Sequence, residues 1–158
     1  MFLILLVVVL LAAGIHAAQA RERTTQHVAR IFLLYLLVGY CGVPMLIFVG
    51  WALMSPEAAA AHLGFPAGNP FQEFAGLAIL SLALLSVLAL RYRRTFLIAP
   101  AIGWAVFFFG ATLIHLKDFH HKAALTHFSA VHIFATHGLI ALLLTAALLG
   151  SGLLKERS

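Results

Sequence analysis

Long unbroken apolar runs dominate the chain, in place of strand-like alternation or a narrow helical stripe. About 20 consecutive apolar residues span a bilayer core as a helix. Five runs meet that requirement: residues 2–20, 30–54, 72–90, 95–116 and 128–154. The polar connectors are short, "RERTTQHVA", "SPEAAAAHLGFPAGNPF", "RYRR" and "KDFHHKAALTH". Backbone groups within a bilayer must be satisfied inside the segment, so each run predicts a helix. The expected fold is an all-α polytopic bundle of five transmembrane helices, forming a single membrane domain over residues 1–158.

The connectors also carry an orientation. Arg21, Arg23, Arg30, Arg91, Arg93, Arg94, Lys155 and Arg157 fall at alternate ends of the runs, whereas the other ends hold only Lys117 and Lys122. Cytoplasmic loops are enriched in Lys and Arg. The amino terminus is therefore expected outside and the carboxyl terminus in the cytoplasm. "AAQA" before Arg21 resembles a signal-peptide cleavage site. No basic region precedes the apolar stretch, however, and cleavage would leave "RER" on the outer face. Retention of residues 1–20 as a helix is the reading adopted, with cleavage as its alternative. In the second connector, Ser55 is suited to cap a helix, Pro56 to its first position and Gly64 to its end. Residues 55–71 are thus expected as an outer interfacial segment.

Composition agrees with a lipid environment. Of the 158 residues, 63% are apolar and 9% charged, with a mean hydropathy of +1.05; a soluble domain carries about 25% charged residues. The net charge of +5 sits at the ends of apolar runs, so it reads as topology and nucleic acid is not expected as a partner. Cys41 is the single cysteine, which excludes an internal disulfide and reads as a small core residue.

Ionisable groups inside a span are costly and point to function. Glu73 is the one acid within a run. Counted from the turn at Arg91–Arg94, Glu73 and His115 reach heights within one helical turn at about 1.5 Å per residue, so an ion pair or hydrogen bond between them is expected near the outer boundary. The bland alternative for Glu73 is snorkelling, or complementing the dipole at its helix start. His16 and His137 read first as hydrogen-bonded packing residues.

Six of the nine histidines fall between positions 115 and 137, at 115, 120, 121, 127, 132 and 137. Asp118 lies three residues after His115 and three before His121, which on a continuing helix makes a slanted stripe. Such a set suits zinc, copper or iron, with Glu73, His115, Asp118, His120 and His121 as candidate ligands. The alternative is a solvated imidazole-rich loop, or a pH sensor, since imidazole ordinarily titrates at about pH 6.5. One b-type haem between His115 and His132 is a further candidate; no C-x-x-C-H signal for covalent haem exists. Proton-coupled transport fits poorly, because no acid lies deep and no internal repeat is visible.

"EFAGLA", with Glu73, Gly76 and Ala78, and "GATLIH", with Gly110, Ala111 and His115, resemble the paired motifs of a family of small uncharacterised bacterial membrane proteins, a domain of unknown function. The resemblance spans about residues 30–150. It implies a helical bundle in the bacterial inner (plasma) membrane, brings no activity, and draws attention to Glu73 with His115. His120, His121 and His127 are not part of that pattern. Two functional readings follow. The first is an accessory or assembly-type subunit packing through small residues such as Gly76, Gly103, Gly110 and Gly138 against other membrane proteins or a second copy of itself. The second is a metal- or haem-binding membrane protein, possessing redox activity if the ion is copper or iron.

Overall fold

The computed structural model describes residues 2–63, 70–120 and 134–156. Within them the chain is mostly helical, with short turns between helices and no strand. Helix α1 covers Phe2–Gln19 and α2 covers Thr25–Tyr35. A π-helical turn, Leu36–Gly42, joins α2 to α3, Val43–Met54. Short α4, Pro56–Leu63, precedes α5, Pro70–Leu88. After a 3-10 turn at Arg94–Leu97 comes α6, Ile98–His120, and a second π turn, Phe134–Gly138, leads into α7, Leu139–Gly150.

Three segments among the described residues are long and apolar enough to cross a membrane: Phe2–Gln19, Thr25–Met54 and Arg94–Lys117. The remaining two apolar helices are shorter there, Glu73–Leu88 and Thr136–Gly150. Large apolar side chains cover the outside, among them Ile4 at 71% exposure, Ile47 at 70% and Val106 at 68%. A water-facing surface does not tolerate such continuous apolar area, whereas lipid does.

Local chemistry explains the element ends. Thr24 caps α2, its hydroxyl accepting from the His27 amide at 3.2 Å, as expected of a threonine at an N-cap. The helix at Pro56 begins where the Ser-Pro pair predicts, with Ser55 ending α3 and its carbonyl accepting from the Ala59 amide; position 64 lies outside the described residues. Pro44 sits just past the first π turn. Proline lacks an amide hydrogen and crowds the carbonyl four residues back, so a widened turn accommodates it without ending the helix. Gly42 closes that turn, where a Cβ would lie 3.0 Å from the Leu37 carbonyl oxygen and 3.3 Å from Ser86 Cβ. Absence of a side chain there lets α5 approach.

Helix α1 runs antiparallel to α2 and its continuation. Phe2 packs edge-on against Tyr40 and Phe48, while His16 lies against Tyr35. The core gathers Leu6 and Val9 of α1, Leu33, Leu36, Leu37, Tyr40 and Cys41 of the second segment, Ala83 of α5, Trp104 and Phe108 of α6, and Ile140 and Leu144 of α7. α5 leans mainly on α3 and the first π turn, and α6 mainly on α7. That division decides which polar groups meet.

Candidate functional site

An aromatic ladder runs up the inner face of α6 and ends on two histidines. The Trp104 ring stacks on Phe108 at 5.2 Å and 22°. Phe108 meets His137 at 5.8 Å, and His137 meets His115 with ring centroids 5.3 Å apart and planes tilted by 59°. The His115 Nδ1 atom is closed off from solvent.

The two π turns face one another across this ladder. Tyr40, from Leu36–Gly42, donates its hydroxyl hydrogen to the Thr136 carbonyl oxygen at 3.3 Å. Thr136, in the second turn, shares a hydrogen bond through Oγ1 with His137 Nδ1 at 2.9 Å. A carbonyl loosened from the regular helical ladder is available to an outside donor, one reason such turns recur at functional positions. Gly138 lets this turn close onto α6: a Cβ there would stand 3.6 Å from Thr112 Cγ2. The Thr112 hydroxyl is spent inside its own helix, donating to the Phe108 carbonyl at 2.7 Å. At the lower end of the ladder, Trp104 Nε1 donates to Ser86 Oγ at 2.8 Å, and Ser86 Oγ to the Leu82 carbonyl at 2.9 Å. All of these polar groups find partners within the bundle, as buried polar groups require.

This arrangement redistributes the roles expected from sequence. Glu73 lies in the first turn of α5 and is exposed; no hydrogen bond or ion pair to it is present among the described residues. It stands at the helix start, where a carboxylate complements the dipole. The expected Glu73–His115 contact is not formed, because α5 leans towards α3 while α6 leans towards α7. Equal height along a hairpin did not bring the two faces together. His115 instead meets His137, a residue that sequence reasoning treated as packing.

His121, His127 and His132 lie outside the described residues. Asp118 and His120 belong to the last turn of α6, and their side chains also lie outside that set. Among the described residues, no three His, Cys, Asp or Glu side chains converge to hold a metal ion. His16, at the opposite end, hydrogen-bonds the Tyr35 hydroxyl at 3.2 Å, the packing role expected of it. Cys41 is fully buried in the core.

A model of one protein family matches the chain over residues 1–156. The chain belongs to DUF6790, a family of unknown function. This agrees with the resemblance to an uncharacterised membrane family and extends it over nearly the whole sequence, α1 included. No curated protein and no solved structure matches the chain. For a DUF6790 member, then, the side chains themselves carry any functional argument. The His115–His137 pair is a poor fit to b-type haem. Two axial imidazoles must stand on opposite faces of a macrocycle, and rings tilted at 59° with centroids 5.3 Å apart leave no plane between them.

Proposed function

We propose that this protein is a five-span protein of the bacterial inner membrane, amino terminus outside, that binds a transition-metal ion between His115 and His137. Topology is supported by the clustering of three connections at one end: Arg30 of α2 donates through Nε to the Ser151 carbonyl beyond α7 at 2.9 Å, and Arg93 and Arg94 line the same pocket as His16 and Arg30. Among the described residues, Arg21, Arg23, Arg30, Arg91, Arg93 and Arg94 lie on or next to these connections.

The single observation carrying the metal reading is the 5.3 Å separation of the two rings. Two imidazoles bound to one tetrahedral ion, with metal–nitrogen bonds of about 2.0–2.1 Å, hold their centroids about 5 Å apart. The hydrogen bond between His137 Nδ1 and Thr136 Oγ1 supplies the orienting contact that metal-bound histidines usually have. Two imidazoles do not complete a site. Asp118, His120 and His121, the further ligands expected from the sequence, have side chains outside the described set; Glu73 is exposed on a helix that leans away from the pair. Zinc, copper and iron all accept such nitrogen and oxygen donors.

Elemental analysis of the purified full chain tests this reading. One equivalent of metal is expected in the wild type, falling to a small fraction in His137→Ala and His115→Ala. Background metal in all three proteins refutes it.

The assembly reading has a different support. Gly14, Gly50 and Gly110 have no atom within 4 Å of where a Cβ would stand, and exposed Val106 and Ile114 flank Gly110 on α6. Small residues on a lipid-facing flank allow another helix to approach closely. A partner retained in mild detergent and lost in Gly110→Ile would favour this reading; a chain that is monomeric and partner-free would oppose it.

A further inference from the structure

At the end of the bundle opposite the histidine pair, the structure forms a pocket of about 290 Å³. That is near the lower bound of ordinary small-ligand sites, about 300–1,000 Å³, and large enough for a headgroup. Its apolar wall is Ile31, Leu34 and Leu97, and its polar lining is entirely neutral or basic: His16, His27, Tyr35, Arg30, Arg93 and Arg94. Among the described residues no carboxylate lines it, and the acid there that engages a lining arginine is Glu156, which pairs with Arg30.

The remaining arginines are only lightly committed. Arg93 Nε reaches the Leu90 carbonyl at a long 3.4 Å. The Arg94 side chain makes no hydrogen bond or ion pair among the described residues. Its backbone has φ of 62°, the only non-glycine residue with positive φ there. A residue that carries a Cβ is strained in the left-handed region, and such strain persists where the surroundings over-determine it, commonly at ligand sites. Glycine would take this conformation without strain; the chain has instead an arginine facing a basic pocket.

We propose that this pocket binds the phosphate of an anionic amphiphile, with Arg93 and Arg94 holding the phosphate oxygens and Ile31, Leu34 and Leu97 contacting the adjoining carbons. Guanidinium matches phosphate geometry through paired N–H donors. The pocket is lined by α1, α2 and the turn before α6, at the ends of three segments apolar enough to cross a membrane, and basic pockets between membrane helices take anionic headgroups. A free phosphate ion shares the same oxygen chemistry but has nothing to place against the apolar wall. This site is remote from His115 and His137, and its fate is independent of any metal there.

The test uses the full chain, delipidated in nonionic detergent, with retained ligand counted by native mass spectrometry. The probes are short-chain phosphatidylglycerol, phosphatidylcholine of the same chain length, and inorganic phosphate. Phosphatidylglycerol is expected to bind in preference to phosphatidylcholine, with affinity falling about tenfold in Arg93→Ala and in Arg94→Gly. Arg94→Gly relieves the backbone strain, so its loss of binding is not attributable to misfolding. Arg21→Ala, at the same end but outside the lining, is expected to bind as the wild type does. Displacement of the lipid by inorganic phosphate at similar concentration identifies free phosphate as the source; resistance to it identifies the lipid. Equal retention of both lipids, or an equal loss in Arg21→Ala and the pocket variants, overturns the proposal.

Discussion

His115 and His137 come from different helices and place their rings 5.3 Å apart, with Phe108 against the second of them at 5.8 Å. An imidazole in an apolar bundle must exchange water for another polar partner, and His137 finds one in the Thr136 hydroxyl. The pairing is held by a π turn, a threonine and a tyrosine from a third segment.

If that support orients His137, Thr136→Val should weaken metal retention without abolishing it. Loss of an outer-shell partner ordinarily costs about 10–100-fold in metal affinity. Competition with a chelator of known affinity measures it. Unchanged affinity in Thr136→Val, with retention lost in His137→Ala, would show that the hydroxyl has no orienting role.

The Trp104–Ser86 hydrogen bond ties α6 to α5 where the two helices otherwise contact little. Ser86→Ala should lower stability by about 0.6–1.7 kcal/mol, the range of hydrogen bonds within membrane bundles. Trp104→Ala should cost more, about 3–5 kcal/mol, because the side chain is fully buried and a cavity remains. Reversible unfolding in mixed micelles gives both values.

Gly42 and Gly110 should respond unequally to alanine. At Gly42 the new methyl meets the Leu37 carbonyl oxygen at 3.0 Å and Val87 at 3.1 Å, whereas at Gly110 nothing lies within 4 Å. Gly42→Ala is expected to destabilise by about 1–3 kcal/mol. Gly110→Ala should change stability by less than about 0.5 kcal/mol. Thermal scans of the two variants, side by side, check the contrast.

Substitution at Arg94 separates backbone from side chain. With φ at 62°, Arg94→Gly should unfold at the wild-type temperature or above it, and Arg94→Val should lose about 1–2 kcal/mol. A marked loss in the glycine variant would mean that the guanidinium, rather than the backbone, supports the turn.

Arg30 connects α2 to the chain beyond α7, through the Ser151 carbonyl and the Glu156 carboxylate. The ion pair is partly exposed, so Glu156→Gln should change stability by no more than about 1 kcal/mol. Arg30→Ala removes the donor to the part-buried carbonyl as well, and should cost more. Proteolysis of the carboxyl-terminal residues would report the difference as faster cleavage.

Length and placement of the apolar runs were determined by the sequence alone, since a bilayer leaves no other way to satisfy those backbones. So were the helix begun after Ser55 at Pro56, and the gathering of arginines at one set of ends. Those features depend on composition and on neighbours a few residues away. Which side chain meets which across the bundle was not determined in that way. Counting residues from a hairpin gives height along an axis, and it put Glu73 and His115 level. It gives no rotation about the axis, which follows from how α5 packs on α3 and α6 on α7. The two π turns add a further shift, since each inserts a residue into the helical repeat and turns Tyr40 and His137 onto faces a regular helix would not offer. Only packing reveals them, and they are what joins His115 to His137 in place of Glu73.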